Sequence, residues 1–258
     1  MPECIKMMDI LQAEKLDICF YSGSAEREVH AVNNVSFKVK KGEFLGVVGE
    51  SGSGKSTVAK IITGLLKPDK GEVYINGELL RYPYKKETYR TIQMVFQMPQ
   101  ESFDPRRRIG PCIVDMQKNF GYSKKEALER TKKLLLSVGL DESYYSKYPH
   151  QMSGGECQRA AIARALSVSP EIIVCDEVTS ALDVSVQAQV VDLLRDLHRT
   201  MDITMIFISH DLALVSGLCD RIMIMHDGII VEEGSPQKVM QYPDNKYTKD
   251  LLDAILTV

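Results

Sequence analysis

Residues Gly49-Glu50-Ser51-Gly52-Ser53-Gly54-Lys55-Ser56-Thr57 constrain the fold of this chain more than any other stretch. They fit the pattern G-x-x-x-x-G-K-[ST]. The preceding residues Glu43 to Val48 read as a compact apolar strand, and from Ser56 onward Val58, Ile61, Ile62, Leu65 and Leu66 recur at helical spacing until Lys67-Pro68 ends the run. A strand, a glycine loop and a helix in that order wrap backbone N–H groups around phosphate oxygens, and the helix N-terminus adds positive potential. On this reading Lys55 reaches the β- and γ-phosphates of a nucleotide, Ser56 gives its hydroxyl to Mg²⁺ and Thr57 bonds an α-phosphate oxygen. A chance glycine turn is the bland alternative, and the flanking strand and helix weigh against it.

A second signal is Ile172-Ile173-Val174-Cys175-Asp176-Glu177, four apolar residues followed by two acids. Open α/β sheets place ligands at the carboxyl ends of their strands. Asp176 is therefore a candidate Mg²⁺ ligand, and Glu177 a candidate to polarise the water that attacks a γ-phosphate. Alone, such a strand end is structural about as often as functional; the phosphate loop upstream tips the balance, because a magnesium-nucleotide site needs carboxylates.

Along the chain, Lys15 to Phe20 and Val35 to Val39 read as strands, with Glu72 to Asn76 and Ile92 to Phe96 as further strands of a small antiparallel sheet and Asn76-Gly77 as a tight turn. From Pro99 to about Ser169 the sequence is helix-forming, with Ala127, Thr131, Leu134, Leu135 and Val138 on one face and Gly139 as a stop. After Pro170, strand and helix alternate again, which implies a parallel sheet, and a hairpin is expected around Asp227-Gly228. The expected division is 1–98 for the first part of a nucleotide-binding core with the antiparallel β subdomain, 99–169 for an inserted helical subdomain, 170–234 for the second part of the core and 235–258 for a tail. The expected fold class is α/β, a P-loop NTPase (RecA-like) core with a small antiparallel β subdomain and the helical insertion.

Composition limits the alternatives. The chain has 258 residues, 44% of them hydrophobic and 26% charged, the balance of an ordinary globular protein with a sizeable core. A net charge of -3 argues against nucleic acid as the partner. Six scattered cysteines without a C-x-x-C pair indicate neither a zinc site nor a disulfide framework. No run approaches the ~18 apolar residues of a spanning helix, so any membrane role is expected to work by docking at the cytoplasmic face.

Met152-Ser153-Gly154-Gly155-Glu156-Cys157-Gln158-Arg159 resembles the signature sequence of the ATP-binding cassette ATPases, and Ser-Gly-Gly before a helix is in itself a ready anion site. Gln97, then Ser180-Ala181-Leu182-Asp183, then Ile208-Ser209-His210-Asp211 follow in the family's order. The resemblance covers nearly the whole chain. It implies that Ser153, Gly154, Gly155 and Glu156 meet the γ-phosphate of ATP held by a partner cassette, Glu156 standing where the family usually has glutamine. It also implies that Gln97 contacts Mg²⁺ or the attacking water, that Asp183 contacts the opposing cassette, and that His210 touches the γ-phosphate. An aromatic ring near the amino terminus stacks on adenine in this family; Phe20 and Tyr21 both qualify, and Tyr21 is preferred. His30, His150, His198 and His226 lack such company and read as surface or packing residues, not as metal ligands.

Phe96-Gln97-Met98-Pro99-Gln100-Glu101-Ser102-Phe103-Asp104-Pro105-Arg106 is similar to a stretch found in ATPases of peptide and nickel importers, and Tyr247-Thr248-Lys249-Asp250-Leu251-Leu252 is similar to their tail. The resemblance implies a homo- or heterodimer of cassettes, integral membrane permease subunits docked near Pro99 to Arg108, and indirectly an extracytoplasmic substrate-binding protein. Peptide and nickel remain open as cargo. A non-transporter cassette ATPase and a P-loop small-molecule kinase are the rivals; the kinase has no use for Ser153-Gly154-Gly155 and His210 in this order.

Overall fold

The structure is a computed structural model that describes residues 8–22 and 27–256, with backbone alone at 21, 22, 27, 28, 255 and 256. In chain order the strands are β1 (Asp9–Ser22), β2 (Arg27–Lys40), β3 (Phe44–Val48), β4 (Lys70–Ile75), β5 (Glu78–Leu79), β6 (Ile92–Val95), β7 (Ile172–Asp176), β8 (Thr204–Ser209), β9 (Arg221–His226) and β10 (Ile229–Gly234). The helices are α1 (Lys55–Ile62), α2 (Lys86–Thr91), α3 (Ile109–Asn119), α4 (Lys124–Ser137), α5 (Gly154–Leu166), α6 (Val184–Met201), α7 (Leu212–Ser216), α8 (Pro236–Gln241) and α9 (Lys246–Leu256). Among the described residues no helix is long and apolar enough to cross a membrane. The chain divides into two units, one of 1–85 with 203–258, the other of 86–202.

In the first unit β3 runs parallel to β8 on one side and to β9 on the other, and β10 closes on β9 as an antiparallel edge. Every residue of β3 and β8 is buried, which is why both read as unbroken apolar runs. Phe44 and Phe207 meet edge to face inside this layer, and each fully buried side chain of this size contributes ~1.5–3 kcal/mol. Helix α1 buries Val58, Ala59, Ile61 and Ile62. The hairpin expected at Asp227-Gly228 is present, both residues having positive φ as a type I′ turn requires. A second sheet, in the order β2-β1-β4-β5, is antiparallel, and its turn at Asn76-Gly77 has the same positive-φ pair.

In the second unit β6 and β7 are parallel, Ile92 opposite Ile172 and Val95 opposite Cys175. This differs from the expected placement of Ile92 to Phe96 in the small antiparallel sheet; β6 is almost wholly buried and takes a parallel partner instead. Because β6 and β7 pair with each other, the boundaries expected at 99 and 169 both fall inside this unit. Helix α4 starts at a capping box in which Ser123 Oγ accepts from Glu126 N and Glu126 Oε2 accepts from Ser123 N. Its inner face holds Ala127, Thr131 and Leu135, with Val138 at its C-cap, and Gly139 stops it at φ 75°. Buried Gln117 of α3 donates to Thr131 Oγ1 and accepts from Arg130 Nε, so this polar contact between helices is satisfied.

Candidate functional site

The loop that follows β3 is shaped by backbone constraints. Gly54 caps α1 at φ 99°, and a Cβ there would come within 2.2 Å of the Ala31 carbonyl oxygen, so no other residue fits. Having no side chain, Gly54 leaves the helix N-terminus without a side-chain cap, and the first turn of α1 carries no acid. The buried Lys55 ammonium donates to Gly49 O at 2.7 Å, Glu50 O at 2.6 Å and Ser53 Oγ at 3.2 Å, which draws the loop into a ring. Ser51 and Gly52 are exposed at its tip, and Ser56 and Thr57 are half-buried in the first turn of α1. An uncapped helix start and an inward ammonium fit a phosphate group.

Distant segments of the same unit brace this loop, and sequence reasoning missed all of them. Gly228 N, in the β9–β10 turn, donates to Ser53 O at 3.1 Å. Glu50 N donates to the Tyr247 hydroxyl at 3.1 Å, and the Tyr247 ring stacks on His226 with centroids 3.9 Å apart. The conspicuous tail residues around Tyr247 were the available signal. His210 also belongs to this unit: Val48 lies opposite Ser209 in the parallel ladder, so Gly49 and His210 leave the same ends of neighbouring strands. His210 is exposed, and the turn after it is fixed by Asp211, whose N donates to Ser209 Oγ and whose Oδ1 caps α7 at Leu214 N. Tyr21 lies in β1 but its side chain is outside the described residues, whereas Phe20 is exposed.

The second unit brings Gln97 and Glu177 together. Each lies two residues beyond the paired Val95 and Cys175, so the parallel register sets them side by side. Gln97 Nε2 donates to Glu177 Oε2 at 3.0 Å and to Ser180 Oγ at 3.2 Å, and Ser180 Oγ donates to Glu177 O at 3.0 Å. Glu177 has φ 47°, a left-handed conformation that is uncommon for a residue of its kind and concentrates at working sites. Asp176 is buried at the end of β7. Beside it, burial pushes the Cys175 thiol up to about 12, so this sulfur stays protonated and adds no second anion.

Ser153 is the N-cap of α5 in a capping box: its Oγ accepts from Glu156 N at 3.3 Å, and Glu156 Oε2 accepts from Ser153 N at 2.8 Å. The Tyr144 hydroxyl also donates to Glu156, and these bonds, Tyr144's first, hold its carboxyl below the ordinary glutamate range. Gly155 lets α6 approach, since a Cβ there would lie 2.2 Å from Val186 Cγ1, whereas Gly154 has room, its nearest neighbour being Leu182 at 3.4 Å. Asp183 caps α6, accepting from Ser185 Oγ at 2.7 Å and Val186 N at 3.1 Å; the serine hydroxyl first, then the amide, hold its carboxyl low. A cavity of about 360 Å³ opens here, lined by residues including Gln97, Gly154, Gln158 and Leu182.

Comparison with known proteins supplies the frame for this geometry. The family model described as "ABC transporter" matches residues 32–180. The oligopeptide transport ATP-binding protein OppF of Haemophilus influenzae is 46% identical over 230 residues, covering 87% of this chain and 69% of that protein. The dipeptide transport ATP-binding protein DppF of Escherichia coli K12 is 41% identical, covering 89% of this chain and 70% of that protein. Among solved structures, the ATP-binding cassette MJ0796, described as a dimer in a post-hydrolysis state bound to ADP and Pi, superimposes with a TM-score of 0.78 at 30% identity, covering 88% of this chain and 98% of that one. With a phosphate loop, an Asp-Glu strand end and a serine-capped glycine helix in the family's order, this chain belongs to the ATP-binding cassette transporter family and is one of its ATPase cassettes.

Proposed function

We propose that the chain is the ATP-hydrolysing subunit of a peptide importer, paired with a second cassette and docked on permease subunits at the cytoplasmic face of the membrane. The observation that carries the hydrolytic part is Glu177, held in a left-handed conformation next to Asp176 and oriented by Gln97 and Ser180. The loop Gly49 to Thr57 binds the triphosphate through its amides and Lys55, whose ammonium exchanges loop carbonyls for phosphate oxygens. Ser56 and Asp176 would hold Mg²⁺, which when bound supplies charge neutralisation to the β- and γ-phosphates. Glu177 accepts a proton from the attacking water, Gln97 keeps that carboxylate in place, and His210 hydrogen-bonds the γ-phosphate. Tyr21 stacks on adenine.

The amides at Ser153, Gly154 and Gly155 bind the γ-phosphate held by the partner's loop, and Asp183 stands at the contact between cassettes. Closure of the pair on ATP and reopening after hydrolysis moves the permease, because the closed state binds ATP more tightly than the open one. Peptide is favoured over nickel as cargo because similar proteins carry oligopeptide and dipeptide transport in their names. Permease contact near Pro99 to Arg108 rests on the likeness of that stretch to importer ATPases.

Glu177→Gln tests the reaction: ATP binding stays, turnover falls by a factor on the order of 10²–10⁴, as for loss of a general base, and a closed dimer accumulates. Wild-type turnover in that variant removes Glu177 from the role. For the cargo, affinity capture from detergent-solubilised membranes is expected to recover a permease and a peptide-binding protein; a metal-binding protein in its place overturns the peptide reading.

A further inference from the structure

We propose that Asp17, Cys19 and His30 form a binding site for a borderline divalent transition metal of the Zn²⁺ kind on the β1–β2 hairpin. Cys19 and His30 are directly opposite across the antiparallel pair, and Cys19 Sγ lies 3.1 Å from His30 Nδ1. Asp17 is two residues before Cys19, the spacing that returns a strand side chain to the same face. One ligand atom from each of the three residues falls within 4.8 Å of the other two.

A tetrahedral metal with ordinary zinc–sulfur and zinc–nitrogen bonds requires the two atoms to be about 3.5 Å apart. The pair therefore has to open by only a few tenths of an ångström. Metal–sulfur bonding releases the thiol proton to solvent, and the hydrogen bond between Cys19 and His30 gives way to two coordinate bonds.

The support behind the ligands resembles that of a built site. Asp69 Oδ2 accepts from Cys19 N at 2.9 Å, and Asp69 N donates to Asp17 O at 2.9 Å, so one residue of the neighbouring loop grips both ends of the Asp17-Ile18-Cys19 segment. Ile18 is buried, which anchors the strand between its two ligands. Register shifts at Leu16/Ile18 and Ile18/Cys19 mark bulges in this part of the β1–β2 pair. One thiolate, one imidazole and one carboxylate match zinc or cobalt, not Mg²⁺ or Ca²⁺, which take all-oxygen sets. His30 is exposed and Cys19 half-buried, leaving a route of entry and a fourth position for water.

The test is Co²⁺ and Zn²⁺ titration of the full-length, chelator-treated chain, followed by electronic absorption and calorimetry. The expected result is one tight equivalent, with tetrahedral cobalt bands and a thiolate-to-cobalt charge-transfer band that Zn²⁺ abolishes. Cys19→Ser removes the charge-transfer band, His30→Gln weakens binding, and Asp69→Asn, which touches no metal, lowers affinity by about 10-fold or more. Circular dichroism melts of the metal-free variants separate lost binding from lost folding. A wild-type chain without the charge-transfer band, or a band that survives both Cys19→Ser and His30→Gln, overturns the site. ATP turnover is not part of the readout, so the result stands apart from the catalytic assignment.

Discussion

The loop Gly49 to Thr57 offers its ligand backbone, whereas the cluster Gln97, Glu177 and Ser180 offers side chains. In the loop, glycine conformation and bracing by Ala31, Gly228 and Tyr247 decide the shape, and the Lys55 ammonium ties the backbone carbonyls together. In the cluster, a parallel register brings two strand ends together and a ring of hydrogen bonds sets the carboxylate. A backbone-built site is therefore broken by adding atoms, a side-chain site by removing them.

The strongest way to break that comparison is a pair of variants. Gly54→Ala forces a Cβ against Ala31 O in a left-handed conformation, and is expected to cost about 2–3 kcal/mol with loss of nucleotide binding. Gln97→Ala deletes an exposed side chain and is expected to leave stability within about 0.5 kcal/mol while turnover falls. Thermal melts and nucleotide binding measured on both decide the matter; equal destabilisation would mean that the two regions do not differ in kind.

A smaller effect is expected at Tyr247→Phe, which removes one bond to the loop worth ~0.5–1.5 kcal/mol but keeps the stack on His226. Nucleotide affinity then drops several-fold, with turnover at saturation unchanged. A fall in saturated turnover at constant affinity would assign the tail to the chemical step instead.

The smallest is Glu156→Gln. Because the Tyr144 hydroxyl and the Ser153 amide hold the Glu156 carboxyl below its ordinary range, its stabilisation is present above that range and is lost as pH falls through the lowered value. Glutamine keeps a cap acceptor, so stability at neutral pH changes by well under about 1 kcal/mol in this half-buried site. What goes is the acid-side dependence, and melts from neutral pH down through the carboxylate range measure it. A large loss at neutral pH would show that the charge, and not the cap, organises the start of α5.

The same contrast explains what the sequence discloses. Placements that follow from local order were legible: Gly54 and Lys55 between β3 and α1, Asp176 and Glu177 at the end of β7, and Ser153 at the head of α5. Contacts between remote positions were not. Nothing local ties Tyr247 to Glu50 or Gly228 to Ser53, and the choice of β7 as partner for β6 depends on burial that an apolar tetrapeptide shares with many other strands. Strands β1 and β2 run well beyond the expected Lys15 to Phe20 and Val35 to Val39, because bulges interrupt the alternation by which their outer turns would be recognised.

The most direct measurement is ATP turnover by Lys55→Ala chains, by Gly154→Asp chains and by a mixture of the two. Position 154 has space for a side chain, and an acid in the first turn of α5 favours the helix, so Gly154→Asp leaves the fold intact while placing a carboxylate where the partner's γ-phosphate is proposed to bind. Each variant alone should be inactive, and mixing should restore part of the rate, since one site of each mixed pair combines an unaltered loop with an unaltered helix start. Wild-type turnover by Gly154→Asp alone would contradict an ATP site completed across two chains, and a mixture that stays inert would contradict one completed by two copies of this chain.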